Sequence, residues 1–264
     1  MSIAKQCFSR DRLDSAAGGA ILVEDLLPGE IAGVRWRFVS IKGPGGVGGG
    51  GDPTAATVLL FLGGNACLTT GASRKNVTEE SIARIPYGST YWITGRQGAV
   101  AHCLEVTKAL DAADHNEMAR RMESYTALYF RKFRDCPEYT EDIKSKKTIN
   151  RMLLPEGFVP RFGMGSVRTK GPDRVGSHVH PMLDQMYLGM DDCRGTVHAD
   201  HARTVLKGDC LLHIPLASRH GSRVDKGDVL YFLWFDFFLT LEGQEYINRQ
   251  HTMKGKTAGE KQGR

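Results

Sequence analysis

The sequence lacks any run of about 18 apolar residues, so no segment has the composition of a transmembrane helix. Its first residues, Met-Ser-Ile-Ala-Lys-Gln-Cys, lack the long apolar core and the small-residue cleavage site of a signal peptide. These two absences predict a cytoplasmic protein with no membrane partner.

The sequence also lacks a Cys-x-x-Cys pair, although it contains six cysteines. These cysteines are Cys7, Cys67, Cys103, Cys136, Cys193 and Cys210. Their irregular spacing predicts reduced, mostly buried thiols and argues against both a disulfide framework and a zinc knuckle.

Charge of either sign is in only slight excess, with 35 Lys and Arg against 30 Asp and Glu and a formal net charge of +5. Five of the basic residues lie in the last segment, 249–264, which contains a single Glu. This segment has almost no apolar residues and is therefore expected to be a disordered basic tail. The body of the chain is close to neutral, so we expect no nucleic-acid partner.

The body of the sequence is dominated by short apolar runs that alternate as strands do, for example Val34–Ile41. The glycine tract over 43–53 predicts a flexible hairpin or loop, because no Lys-Ser/Thr follows it as in a phosphate-binding loop. Helical spacing of apolar residues appears over 109–133, and Asp135-Cys-Pro137 ends it. The run over 228–238 is so apolar that both faces of the strand are expected to be covered.

A candidate metal site lies in the second half. His178 and His180 are two residues apart, so in an extended strand both imidazoles point to the same face and can bind one cation. Gln185 or Asp184 is the candidate third ligand, with Gln185 favoured because Asp184 falls on the opposite strand face. His220, which returns after an apolar run and a proline, is the candidate fourth ligand. Such a set of N and O ligands suits zinc, manganese, iron or nickel.

With these residues in place, the region from Lys146 to Phe238 resembles the 5-keto-4-deoxyuronate isomerase and 5-deoxyglucuronate isomerase group of bicupins. The segments that carry the resemblance are Thr148–Gly157, Met164-Gly165, His178-Val-His180, Gln185-Met-Tyr187, Met190–Asp192, His220 and the aromatic strand through Trp234. They follow the order and approximate spacing of that family's metal-binding barrel.

The resemblance implies a mainly all-β fold with two cupin-type double-stranded β-helix barrels in one chain. Residues 1–108 are then expected to form an N-terminal barrel without metal ligands, and residues 109–147 a helical connection. Residues 148–248 would form the metal-binding barrel, with 249–264 as the tail. Exposed strand edges in such barrels lead us to expect a homo-oligomer.

Two departures from the family pattern concern the site. The family's Glu ligand is Gln185 here, which can ligate through its amide oxygen but brings no negative charge. The basic pair that precedes this Glu in the family is replaced by Met182-Leu183. If that pair holds the substrate carboxylate, another cation must do so here. Arg161, Arg174 and Arg219 are the candidates, and Trp234 is a further candidate for substrate binding.

The leading hypothesis is a metal-dependent aldose–ketose type isomerase of a sugar acid that acts through an enediolate, with one divalent ion, zinc first. Asp236 is the first candidate for the base and Tyr187 the second catalytic candidate, because each shares a strand face with other site residues. An alternative interpretation of Asp236 is an acid paired with a buried Arg or a backbone turn. His213 and His198 are weaker catalytic candidates.

Two other functions are consistent with the same residues. A cupin dioxygenase or lyase can use a site of three His and an amide with iron and oxygen. A non-catalytic, sugar-binding cupin that has lost its chemistry together with the Glu is the third hypothesis.

Overall fold

Strands make up most of the protein, whose computed structural model describes residues 2–13, 20–155, 157–249 and 252–253. The first ten strands are β1 (Lys5–Cys7), β2 (Ala20–Leu26), β3 (Val34–Lys42), β4 (Gly46–Gly50), β5 (Ala55–Gly64), β6 (Ala66–Thr70), β7 (Ser73–Val77), β8 (Ser81–Arg84), β9 (Thr90–Gly95) and β10 (Val100–Ala109). The middle of the chain forms α1 (Ala112–Arg120), α2 (Met122–Thr126), β11 (Tyr129–Lys132) and β12 (Glu138–Thr140).

The remaining elements belong to the second half of the chain. They are β13 (Ile149–Leu154), β14 (Phe162–Lys170), β15 (Asp173–Val179), β16 (Leu183–Gly189), β17 (Arg194–Ala199), β18 (Ala202–Lys207), β19 (Cys210–Ile214), β20 (Arg219–Val224), β21 (Val229–Phe238), α3 (Leu241–Asn248) and β22 (Thr252–Met253). No helix in the described ranges is long and apolar enough to cross a membrane.

Each half pairs a large sheet with a small one. In the N-terminal half the large sheet has the order β11-β8-β5-β10-β3-β2, and the small sheet has the order β4-β9-β6-β7. In the C-terminal half the orders are β1-β19-β16-β21-β14-β13-β12-β22 and β15-β20-β17-β18. The named strand pairings within these sheets are antiparallel, so alternate residues of each strand face the interior of their barrel.

The two large sheets pack back to back and form a core that both halves share. Trp36 and Phe38 from β3 meet Leu233 and Phe235 from β21 in this core. The Trp36 and Phe235 rings lie edge to face with centroids 4.8 Å apart. Aromatic side chains of this size bury large apolar areas, so the shared core holds the two halves together.

Strand β21 separates this shared core from the interior of the C-terminal barrel. Leu233, Phe235 and Phe237 point into the shared core. Phe232 and Trp234, which alternate with them, point into the barrel. The expectation that both faces of this apolar run are covered is thus met, with a different core on each face.

The helical connection is shorter than the sequence pattern predicts. α1 begins at the N-cap Asp111, whose carboxylate accepts hydrogen bonds from the backbone N–H groups of Ala113 and Asp114. The helical part of the connection ends at Thr126, the last residue of α2. Residues 129–132 form strand β11, which pairs with the edge of β8. The expected helix to residue 133 is wrong, because pairing with that edge outweighs the local helical spacing.

The glycine tract also differs from its expected conformation. Gly46–Gly50 forms strand β4 and pairs with β9, so it is not a flexible loop. The Trp92 ring lies against this strand, and a Cβ atom at Gly48 would come within 2.4 Å of it. Glycine is therefore required by a close approach of ring and backbone.

Two further expectations are corrected, one about the cysteines and one about the C-terminal tail. Cys7 on β1 and Cys210 on β19 form a disulfide, so the prediction of reduced thiols fails for these two residues. The other four cysteines are free and buried. Within the predicted tail, β22 pairs with β12, while residues 250–251 and 254–264 lie outside the described residues.

A second contact between the halves centres on His213. Its Nδ1 atom lies 2.7 Å from Glu30 Oε1, and its Nε2 atom lies 3.3 Å from Asp184 Oδ1. Burial disfavours the imidazolium form, but the two carboxylates outweigh it and raise the pKa of His213 above its usual value. His213 therefore joins the N-terminal Glu30 to the C-terminal barrel most strongly when it is protonated.

We predict that Trp36→Ala lowers the free energy of unfolding by about 3–5 kcal/mol, because it opens a cavity in the shared core. Trp92→Ala is the matched control, since the Trp92 side chain is 52% exposed, and we expect it to cost about 1 kcal/mol or less. Denaturant unfolding followed by circular dichroism measures both. Equal losses in the two variants would contradict the importance of the shared core.

We also predict that the stabilisation by His213 depends on pH. Because its pKa is raised on folding, its contribution is complete below the ordinary histidine pKa and is lost as the pH rises through the folded pKa. The unfolding free energies of wild type and His213→Gln should differ most near about pH 6 and approach each other as the pH is raised to alkaline values. A difference that does not change over this range would show that the protonated contact is unimportant.

Candidate metal centre

Two neighbouring strands bring the three histidines together. His178 on β15 lies directly opposite His220 on β20, because a register shift between Val175 and His178 aligns the two residues. His180 follows immediately after the end of β15. Their possible ligand atoms all lie within 4.8 Å of one another. Imidazole nitrogens bind zinc at about 2.0–2.1 Å, so three of them this close together could hold one ion.

Backbone carbonyls fix the protonation of two of these rings. The Nδ1 atom of His178 lies 2.7 Å from the Gly176 oxygen, and the Nδ1 atom of His220 lies 3.1 Å from the Ser218 oxygen. A carbonyl can only accept, so in both rings Nδ1 carries the proton and Nε2 keeps its lone pair. The His220 Nε2 atom is buried and has no hydrogen-bond partner among the described residues. Both rings are oriented as metal-ligating histidines are.

The electrostatics of the cluster favour neutral imidazoles. Burial, reinforced by the neighbouring His178 ring, lowers the pKa of His220 to about 3. Burial also lowers the pKa of His178. Neutral rings have a lone pair for a cation, so His178 and His220 can bind a metal ion without first losing protons at neutral pH.

Gln185 and Asp236 form a second polar pair beside the histidines. They face each other on the neighbouring strands β16 and β21, and Gln185 Nε2 donates to Asp236 Oδ1 at 2.5 Å. With its amide nitrogen used in this way, the Gln185 Oε1 atom is buried without a hydrogen-bond partner among the described residues. An amide oxygen in this state is a suitable fourth ligand for a borderline cation.

His178, His180, Gln185 and Asp236 line one cavity of about 350 Å³. Its wall also includes Tyr187 and Trp234. Tyr187 packs on Phe232 with ring centroids 4.5 Å apart, and its ring centroid lies 6.4 Å from that of His220. Burial raises the pKa of Tyr187 well above its usual value, so the phenol is neutral. Aromatic side chains thus line one part of the cavity, and His178, His180, Gln185 and Asp236 line another part.

The three predicted substrate-binding arginines do not line this cavity. Arg161 donates to Asp111 and Asp114 and to the Leu239 carbonyl, so its guanidinium fixes α1 against the C-terminal barrel. Arg174 lines an adjoining open groove, which shares Ile143, Lys144 and two other residues with the cavity. Arg219 lines another depression with His198. Their role in substrate binding stays a prediction that the wall of this cavity does not support.

The weaker candidates are also placed outside the cavity wall. Asp184 faces His213, as alternation along β16 requires, and is therefore not positioned as the third ligand. His213 makes the contact with Glu30 described above. The His198 Nε2 atom lies 3.3 Å from Ser177 Oγ.

The structure adds residues that sequence reasoning missed. Glu141 and Lys144 line the cavity, and Tyr139 lies behind Trp234, whose Nε1 atom donates to its hydroxyl at 3.0 Å. All three lie in the segment that the sequence pattern assigned to a helical connection. The short extended stretch after Pro137, which forms β12, was the available signal.

The interior of the N-terminal barrel contains a different polar group at the end of its core. Glu105, which is 2% exposed, accepts from Arg37 Nε at 3.0 Å and from the Tyr91 hydroxyl at 2.7 Å. These three side chains satisfy one another. Among the described residues, His178, His180 and His220 form the one group of three or more His, Cys, Asp or Glu with metal-binding spacing.

Comparisons with known proteins identify the fold. No protein-family model and no curated protein sequence matches this chain. A cupin 2 conserved barrel domain protein from Leptotrichia buccalis superposes with a TM-score of 0.59 and 12% identity, over 90% of this chain and 98% of that one. Protein Ylba from E. coli gives a TM-score of 0.65 and 14% identity, over 90% and 92% of the two chains.

Oxalate decarboxylase from Lactobacillus farciminis gives a TM-score of 0.64 and 10% identity, over 89% of this chain and 86% of that one. The protein is therefore a two-barrel member of the cupin fold, and the predicted fold class is confirmed. At these identities the likeness concerns the fold alone. The finer resemblance to uronate isomerases remains a hypothesis about activity.

We predict that His220→Ala loses bound metal while His198→Ala retains it. His198 is the matched control, because it lies on the same small sheet but outside the cavity wall. Loss of one ligand from a site of this kind weakens binding by orders of magnitude. Elemental analysis after reconstitution with zinc should give about one ion per chain in the wild type and control. Stoichiometric zinc in His220→Ala would contradict the proposed ligand set.

Proposed function

We propose that the protein is a metal-dependent isomerase of a small sugar acid. The observation that carries this proposal is the buried carboxylate of Asp236, which lines the same cavity as His178 and His180 and is fixed by Gln185. A metal site alone would suit many reactions. A metal site with one oriented carboxylate beside it supplies the two groups that proton transfer next to a carbonyl requires.

His178, His180 and His220 would hold the ion, with the Gln185 amide oxygen as a fourth ligand. This set fits a divalent ion of borderline softness, with zinc first and manganese, nickel or iron as alternatives. When bound, the ion acts as a Lewis acid that polarises a carbonyl or hydroxyl oxygen. All four ligands are neutral, so the ligand set does not reduce the positive charge of the ion.

Asp236 would transfer the proton between two neighbouring carbons. Its carboxylate takes the proton from the carbon that bears a hydroxyl, and that hydroxyl becomes a carbonyl. The proton returns to the former carbonyl carbon, whose oxygen gains the hydroxyl proton. Atoms and electrons balance within the substrate, so no external oxidant is needed.

The rest of the cavity suits a small polar substrate. A volume of about 350 Å³ is at the lower end of ligand pockets. The neutral phenol of Tyr187 is available to position a substrate hydroxyl, and the Trp234 ring forms an apolar wall beside Asp236. Both side chains are 6% exposed, so together they shield the reacting carbons from solvent.

A cupin oxygenase or lyase is the second candidate, favoured by the neutral set of three imidazoles, which also suits iron. The two candidates differ in their need for oxygen. An isomerase works at the same rate without oxygen, whereas an oxygenase consumes it. Metal binding without turnover would instead indicate a non-catalytic sugar-binding cupin.

We predict that Asp236→Asn lowers isomerase turnover by about 10²-fold or more while bound metal is retained, because an amide can accept the Gln185 hydrogen bond but cannot take a proton. Turnover of 5-keto-4-deoxyuronate and 5-deoxyglucuronate measures the effect. Asp225→Asn is the control, since the Asp225 side chain is 61% exposed and lies outside the cavity wall. Unchanged turnover in Asp236→Asn would remove Asp236 as the base.

A further inference from the structure

The cavity wall contains a lysine that neither the metal site nor the proton transfer uses. Lys144 lines the cavity, and its side chain is only 7% exposed. Arg249 also lines the cavity, but its side chain is 78% exposed and pairs with Glu245 at 3.5 Å. Lys144 is therefore the cation whose charge is least screened by water in this cavity.

The backbone around Lys144 is fixed to the strand that carries His178. Lys144 forms an antiparallel bridge with Val175 on β15. The Gly176 N–H donates to the Ile143 carbonyl at 2.8 Å. Ser145 Oγ donates to Asp173 Oδ2 at 2.7 Å. The position of Lys144 relative to the histidine cluster is thus set by three contacts to one strand.

The ammonium group retains capacity for a further hydrogen bond. Its Nζ atom lies 2.8 Å from Glu141 Oε2 and 3.4 Å from the Tyr139 hydroxyl. It also lies 5.3 Å from the centroid of the Tyr139 ring. An ammonium has three N–H donors, so two of them are accounted for by these contacts.

The charge of the loaded cavity favours an anion. A divalent ion on neutral ligands brings two positive charges, and Lys144 and Arg249 add two. Asp236, Glu141 and Asp142 contribute three negative formal charges. One positive charge remains, which favours an anionic ligand.

We infer that Lys144 binds the carboxylate of the substrate, so that the cavity selects a monoanionic sugar acid over the corresponding neutral sugar. This inference rests on the proposed function and names the residue that gives it specificity. Glu141 is the positioning residue, since its carboxylate holds the ammonium at 2.8 Å. Lys144 supplies the cation that was expected from Arg161, Arg174 or Arg219.

The test uses the zinc-loaded full chain titrated by calorimetry with D-glucuronate and with D-glucose, which lacks the carboxylate. Wild type should bind glucuronate more tightly than glucose, and Lys144→Met should reduce glucuronate affinity at least about tenfold without changing glucose affinity. Lys146→Met is the matched control, because Lys146 is exposed two residues away. It should behave as wild type.

A second variant shows whether a loss of affinity in Lys144→Met comes from misfolding. Lys144→Met leaves the Glu141 carboxylate in the cavity without its lysine, whereas Glu141→Gln/Lys144→Met removes both charges. The double variant should fold, retain zinc and bind glucuronate at least about tenfold more weakly than the wild type, because the direct contact of the Lys144 ammonium is lost while the net charge of the cavity is unchanged.

The possible failures are distinguishable, because zinc content is measured in each sample. Full zinc and a glucuronate preference as strong as that of the wild type in both Lys144 variants would overturn the role of Lys144 while the proposed function stands. Full zinc with no preference in the wild type would overturn the selection of sugar acids. Loss of zinc from the wild type would remove the proposed function itself.

Discussion

The alternation of side chains along β21 is the constraint on which the rest of the structure depends. One face of this strand supplies Leu233 and Phe235 to the core shared by the two halves. The other face places Trp234 and Asp236 in the cavity. A shift of one residue would exchange these faces and put the carboxylate into the apolar core. The packing of the two barrels and the position of the candidate base are therefore fixed together.

The site itself is built from two cross-strand pairs. His178 faces His220 on the small sheet, and Gln185 faces Asp236 on the large sheet. In the first pair both residues can ligate a cation. In the second pair Gln185 can ligate through its amide oxygen, and its amide nitrogen donates a hydrogen bond to Asp236. Because Gln185 uses its nitrogen to hold Asp236, one residue links the ligand set to the candidate base. The neutral amide thus has a structural reason, since a glutamate would repel the Asp236 carboxylate.

The spacing of His178 and His180 predicts a common face, and the structure groups both with His220. The positions of the arginines could not be predicted in this way, for a physical reason. Charge alone does not tell which barrel face a residue occupies, and Arg161 is held by Asp111 and Asp114 on a helix about fifty positions earlier. Lys144 was missed because residues 109–147 were assigned to a helical connection. Only its bridge to β15 brings it to the cavity.

The sequence by itself determined the mainly β composition, the period-two strands and the pairing of His178 with His180, because these depend on neighbours within a few residues. Only the tertiary structure decided that His220 stands opposite His178, that Asp184 turns to His213 and that Lys144 enters the cavity. Those placements depend on strand register and sheet order, which are set by packing between residues far apart in the chain. Local pattern supplied the groups of the site, and long-range packing selected which of them meet.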